Sequence, residues 1–216
     1  MTAAPDTGEE TWLAQWREGP TRLRWTTLPP QIGDPAPPFE LADSHGTIVR
    51  SESLWRTGPA LLLFWRHYGC GCGMDRATRL AGEHAAYVAA GATVVVIGQA
   101  PPERSAAYGE RYAIPCPILC DPTRETYARY GLLDATPAQI VFDAPDEFLQ
   151  RNYAAGVKLA QARREAGRPL VDSPWQLPGE FVVGRDGIIR LAYRYQYCED
   201  FPDPRVLTAA MRAGSN

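Results

Sequence analysis

The chain is poor in lysine, histidine and methionine, and it has no long apolar run. Lys158 is the only lysine among 22 basic residues, so positive charge comes almost wholly from arginine, a bias of the kind a GC-rich genome produces. Against 25 acidic residues this leaves a net charge of −3, which gives no electrostatic reason to expect nucleic acid or an anionic membrane as a partner. The longest apolar runs, ALLLFW at 60–65 and ATVVVI at 92–97, are strand-sized and far short of the roughly 20 residues that span a bilayer. Export is not expected either, because MTAAPDTGEETW carries acidic residues where a basic region and an apolar stretch would stand. A soluble, cytoplasmic protein is the expectation. In a reducing compartment five cysteines do not make a static disulfide framework, which leaves them buried, catalytic or metal-bound.

What is present supports one packed body. At 216 residues the chain is long enough for one substantial core and short for two, and its 45% hydrophobic content argues against disorder. Residues 1–30 read as an N-terminal arm with Trp12, Leu13, Trp16 and Trp25 in a short amphipathic pattern, ending at Pro29-Pro30; residues 31–216 read as the domain. A hairpin is expected around Ser44-His45-Gly46. After it strands at 59–66, 92–98 and 117–120 alternate with helices at about 72–90 and 102–112. Ala77, Leu80, Ala81, His84, Ala85 and Val88 form the inward stripe of the first of these helices, with His84 a core residue rather than a ligand. Asp121-Pro122 supplies an N-cap and first-turn pair for a helix stopping at Gly131. A further helix over 146–166 would face Phe148, Leu149, Tyr153, Val157 and Ala160 inward, GEFVVGRDGIIRLAYRY reads as an antiparallel hairpin, and Asp203-Pro204 caps a last helix. This order predicts an α/β fold: a central mixed sheet flanked by helices, with a helical insertion before the final hairpin.

The stretch FWRHYGCGCGMD, which begins at Phe64, is the chemically suggestive one. It sets Cys70 and Cys72 where a strand ends and a helix begins, and a helix N-terminus favours thiolate over thiol. Arg66, His67 and Arg76 add positive charge nearby, opposed by Asp75. Gly71, between Gly69 and Gly73, permits the tight turn that a disulfide two positions apart requires. Three readings stay open on these residues: a dithiol redox pair, part of a zinc or iron-sulfur site, or two inert thiols in a glycine turn. The metal reading draws on Cys70, Cys72, Cys116 and Cys120, with Cys198 or His67 as an alternative ligand. Cys198, in YQYCED, reads by itself as a half-buried thiol after the last strand.

GDPAPPFEL, the turn at 43–46, LLLFWRHYGC, VVVIGQ, PILCDPTRETYARYGL and GEFVVGRDGIIR resemble the AhpC/TSA, or peroxiredoxin, superfamily over roughly residues 31–212. RHYGC together with SPWQLPGEFVVGRDGIIRLAYRY is similar to its peroxiredoxin-like 2 branch. The resemblance implies a thioredoxin-like fold and a thiol-dependent antioxidant oxidoreductase that needs no cofactor. In that reading Cys70 is the exposed nucleophile, Cys72 resolves it, and His67 and Arg66 tune the thiols. Leu177 and Pro178 take the substrate-binding place beside the redox site, where such folds put a cis-proline, and Cys198 lies where some peroxiredoxins keep a resolving cysteine. The implied partners are a peroxide or a small-molecule or protein disulfide and a thiol reductant, with a homodimer as a candidate assembly and neither nucleic acid nor membrane. Two departures stand out. The family's P-x-x-x-T-x-x-C pattern finds Leu63 and His67 when measured from Cys70, and Trp65 and Gly69 when measured from Cys72, so peroxide is expected to be a poor substrate. The spacing of the cysteine pair is also one residue shorter than the branch's Cys-x-x-Cys.

Overall fold

The computed structural model describes residues 25, 27–69, 71–135, 154, 157, 158, 161, 162, 165 and 172–215. Strands β1 (Glu40–Asp43) and β2 (Ile48–Arg50) form the expected first hairpin, followed by the short helix α1 (Ser51–Leu54). Then come β3 (Ala60–Phe64), α2 (Gly71–Ala89), β4 (Thr93–Gly98), α3 (Pro102–Arg111), β5 (Ile118–Cys120) and α4 (Glu125–Arg129). The last hairpin is β6 (Gly179–Val183) with β7 (Ile189–Arg194), and α5 (Pro204–Ala213) closes the chain. The seven strands form one mixed sheet in the order β2-β1-β5-β4-β3-β6-β7. β3, β4 and β5 are parallel neighbours, while β1 runs antiparallel to β5 and β6 antiparallel to β3. Among the described residues no helix is long and apolar enough to cross a membrane.

The alternation of side chains along a strand splits the core into two layers. Leu62, Phe64, Val95, Ile97 and Phe181 face one way and pack with Phe39, Tyr127 and Tyr130. Leu61, Leu63, Val94, Val96 and Val182 face the other way and pack with Leu80, Tyr87 and Tyr108 of the helical layer and with Leu207 and Met211 of α5. β3 is therefore buried on both faces, which explains why its sequence is an unbroken apolar run instead of an alternating one.

Several expectations change in detail. The inward face of α2 is rotated from the predicted stripe: Gly73, Arg76, Ala77, Leu80 and Tyr87 are buried, whereas Ala81, Ala85 and Val88 are exposed. Arg76 lies on the buried face because it pairs there with Glu180 of β6, so that face is not a purely apolar stripe. Asp121 is not the residue next to the first helical turn, since α4 starts at Glu125 after Arg124 in a left-handed conformation, φ 60°. Its carboxylate still accepts from the Thr126 backbone N–H at 2.9 Å and so satisfies one early helical donor. Gly131, at φ +71°, ends this segment as predicted. Asp203 caps α5 through the Arg205 backbone N–H. Of the predicted insertion helix, residues 154, 157, 158, 161, 162 and 165 are described and helical. Val157, expected to face inward, is 47% exposed. Phe148, Leu149, Tyr153 and Ala160 lie outside the described residues, as do Trp12, Leu13 and Trp16 of the arm. Trp25 donates its indole N–H to the Gly131 carbonyl at 3.0 Å.

Candidate active site

The site is built where β3 hands over to α2. Phe64 ends the strand, and the Trp65 backbone N–H still reaches the Ile97 carbonyl at 2.9 Å, so the loop leaves β3 from a fixed point. The buried Tyr127 hydroxyl lies 2.6 Å from the Trp65 carbonyl and 2.8 Å from that of Ile97, tying the ends of β3 and β4 together. Tyr68 stacks on Tyr108 of α3 with ring centroids 4.1 Å apart, and its hydroxyl pairs with Ser105 at 3.1 Å. Its backbone N–H donates to Asp172, which is ion-paired with Arg104 at 2.5 Å. A cleft of about 210 Å³ opens here, lined by Tyr68, Gly69, Arg104, Tyr108, Arg111 and Asp172.

Cys70 lies outside the described residues and immediately precedes the first residue of α2 in the sequence. Cys72 is buried in the first turn of α2, 3% exposed, and is disulfide-bonded, whereas Cys116, Cys120 and Cys198 are free. Cys72 shares a small apolar cluster with Ala135, Leu177 and Cys198. Leu177 and Pro178 are both buried, so they back the sulfur from inside instead of facing solvent. Pro178 lines the same cavity as Cys72. No cis peptide bond occurs among the described residues, so the expected cis-proline is a trans one.

Arg66 dominates the electrostatics. Its guanidinium is buried, with Nε donating to the Gln176 carbonyl at 3.3 Å and Nη2 to the Pro174 carbonyl. Nη1 points at two sulfurs, Cys198 at 2.8 Å and Cys72 at 3.7 Å. Burial lowers the Arg66 pKa, against the opposing pull of Cys198 and Glu199, yet a guanidinium keeps its proton throughout the accessible pH range. His67 behaves otherwise. Burial first, and the neighbouring Arg66 cation second, push its pKa down to about 4 against a smaller opposing effect of Asp172. Its Nδ1 accepts from the Gly69 N–H at 3.3 Å, the arrangement of a neutral ring. The expectation that His67 adds positive charge at neutral pH is thereby corrected. Arg76 is likewise committed elsewhere, to Glu180 at 2.7 Å and Glu83 at 2.8 Å, with the Tyr195 hydroxyl completing the network on Glu180.

The cysteines of the metal reading that are described do not gather into one ligand set. Cys116 and Cys120 do not share an element, since Cys116 stands in a bend and only Ile118–Cys120 is strand. Cys120 ends β5 beside Gly98, whereas Cys116 precedes the strand, in a cavity with Asp43, His45 and Pro117. Burial pushes the Cys116 thiol up to about 12, which disfavours the thiolate a metal would need. Cys198 does come close to Cys72, but the cation of Arg66 reaches both sulfurs and would repel a metal ion between them. Among the described residues no group of three or more metal-ligating side chains is assembled.

Sequence reasoning missed the approach of Cys198 and the Arg76–Glu180–Tyr195 network beside it. The signals were a charged residue inside the apolar strand GEFVV and an arginine four positions after Cys72, but neither names its partner without the fold.

Comparison with known proteins agrees with this architecture. No curated protein matches the chain. Among solved structures it is similar to the peroxidoxin BcpB of Mycobacterium tuberculosis, at 19% identity and TM-score 0.60, over 87% of this chain and 99% of that one. A thiol peroxidase of Chromobacterium violaceum aligns at 18% identity and TM-score 0.58, over 87% and 89% of the two chains. The thioredoxin domain of a thiol-disulfide oxidoreductase of Bacteroides vulgatus aligns at 14% identity and TM-score 0.52, over 88% and 100%. At such identities the likeness establishes the thioredoxin-like fold alone. The family model for AhpC/TSA matches residues 32–192, most of the chain from the first hairpin to β7, and the protein belongs to the AhpC/TSA family.

Proposed function

We propose that the protein is a thiol-dependent oxidoreductase that cycles between dithiol and disulfide at Cys70-Gly71-Cys72. The observation that carries this reading is Cys72: it is already disulfide-bonded, in the first turn of α2, with a buried guanidinium 3.7 Å from its sulfur. Hydrogen-bond donors and a fixed cation favour the thiolate that forms when this disulfide opens. In the forward direction the Cys70 thiolate attacks one sulfur of a substrate disulfide and expels the other as a thiolate. Cys72 then attacks Cys70, releases the second substrate thiol and leaves the protein disulfide. A thiol reductant restores the dithiol by becoming oxidised itself.

A cleft opens at Tyr68 and Gly69, the two residues that precede Cys70 in the sequence, while Leu177 and Pro178 act by holding Cys72 from behind. Disulfides fit this site better than peroxide. The positions of the family's Pro and Thr hold Leu63, which is buried in the core, and His67, whose lone described bond is to Gly69 within the loop itself. Trapping tests the proposal: Cys72→Ser should accumulate a mixed disulfide on Cys70 with a model disulfide substrate, and Cys70→Ser should trap nothing and lose activity. Failure of Cys72→Ser to trap any adduct under non-reducing mass spectrometry would overturn it.

A further inference from the structure

Cys198 is not used by the cycle above, yet its position is unusual for an inert thiol. It follows β7 in a segment that folds back over the start of α2, and it is 2% exposed. One nitrogen of Arg66 lies 2.8 Å from its sulfur and 3.7 Å from that of Cys72, so the two sulfurs can be no farther apart than those distances combined. Both cysteines, with Arg66, Pro178, Tyr195 and Phe201, border one narrow cavity of about 10 Å³. That is at the threshold for a single water and too small for a peroxide or an external thiol. The guanidinium, held in place by the Gln176 and Pro174 carbonyls, offers one nitrogen to both sulfurs, and a thiolate formed at either would be a strong acceptor for it.

We propose that Cys198 is a third redox thiol, which takes over the disulfide of Cys72 by thiol–disulfide exchange and so carries the oxidised state to a buried pair of sulfurs beside Arg66. The inference rests on the dithiol reading of Cys72. The step balances without an outside oxidant. Cys198 gives up its proton and its thiolate attacks the Cys72 sulfur; a new sulfur–sulfur bond forms, the existing Cys72 disulfide breaks, and its other sulfur leaves as a thiolate that takes up a proton. The disulfide moves while the number of electrons on the protein stays the same. The gain is that the other thiol returns to its reduced form while the oxidising equivalent is held between two buried sulfurs.

The groups facing Cys198 set its pH dependence. Burial raises its pKa above the ordinary thiol value and Glu199 adds to this, while Arg66 and a backbone N–H pull it down without cancelling the rise. Exchange should therefore accelerate about tenfold from pH 7 to pH 8, following the thiolate fraction.

Disulfide mapping tests the proposal on the full chain. Wild-type protein and Cys70→Ser are oxidised with diamide, acid-quenched, alkylated and digested with trypsin. Cys72 falls in peptide 67–76 and Cys198 in peptide 195–205, so their link is read as a cross-linked pair. We expect that pair in both proteins, as the dominant intramolecular disulfide in Cys70→Ser, with Cys116 and Cys120 recovered alkylated. Full recovery of alkylated Cys198 in both proteins, or a Cys198 link that fragmentation assigns to Cys70, would overturn the inference. Adduct trapping by Cys72→Ser stands apart from it: a trapped adduct without a Cys72–Cys198 link removes the relay alone, and a link without an adduct supports the relay while counting against the proposed substrate chemistry.

Discussion

Burying a histidine beside an arginine has a consequence that can be measured without knowing any substrate. His67 has a pKa of about 4 in the folded protein, held down by burial and by Arg66, while a histidine in the unfolded chain titrates near 6.5. Between these values the unfolded state binds more protons than the folded state, so stability is complete above about pH 6.5 and is lost as the pH falls toward 4. Evaluated at pH 4.5, the difference in proton binding amounts to about 2.5 kcal/mol relative to pH 7. Replacement by glutamine, which keeps a hydrogen-bonding group of similar size but cannot be protonated, removes this contribution. Urea denaturation of wild type and His67→Gln at both pH values isolates it, because other titrating groups cancel in the comparison. We expect wild type to lose about 2.5 kcal/mol more than the variant between pH 7 and pH 4.5. Equal losses in the two proteins would show that His67 is accessible and titrates normally, and with that the picture of Arg66 as the loop's permanent cation would fail. The same reasoning predicts no histidine step between pH 5 and 7 in the alkylation rate of Cys70.

Three further predictions follow from particular contacts. Arg76→Met leaves Glu180 buried without its cation, and breaking a buried pair of this kind costs about 3–5 kcal/mol, or roughly 6–20 °C in Tm for a chain of this size, measured by thermal unfolding. A change below about 1 kcal/mol would mean the pair is solvated. Gly98→Ala would place a methyl group against the Tyr68 ring, which cannot slide away because it is stacked on Tyr108; about 1–3 kcal/mol of destabilisation is expected, together with an altered alkylation rate for Cys70 as the loop shifts. Peroxide should be consumed slowly in single-turnover assays, since missing transition-state donors typically cost about 100- to 1000-fold, and rapid consumption by wild type that disappears in His67→Ala would show His67 acting as a substitute donor.

Much of this protein is legible from its sequence because local periodicity and turn chemistry act over short distances. The unbroken apolar runs of β3 and β4 could only be central strands, Asp203-Pro204 could hardly avoid starting a helix, and the Arg185-Asp186-Gly187 turn fixed the last hairpin through a glycine at φ +76°. The family and the position of Cys72 in the helix that follows β3 were equally readable, since each is carried by a contiguous stretch. What the tertiary structure alone decided is where the charges go. Arg66, His67 and Arg76 look alike in sequence as cations near a cysteine, yet the fold aims Arg66 at two sulfurs, neutralises His67 by burying it, and spends Arg76 on Glu180, 104 residues away. Cys116 and Cys120 look like a ligand pair until the fold puts Cys120 at the end of β5 beside Gly98 and leaves Cys116 in the bend before the strand, while Cys198 looks solitary until the chain after β7 brings it beside Arg66. Those outcomes depend on burial and on partners far along the chain, and desolvation has no local signature in the order of residues.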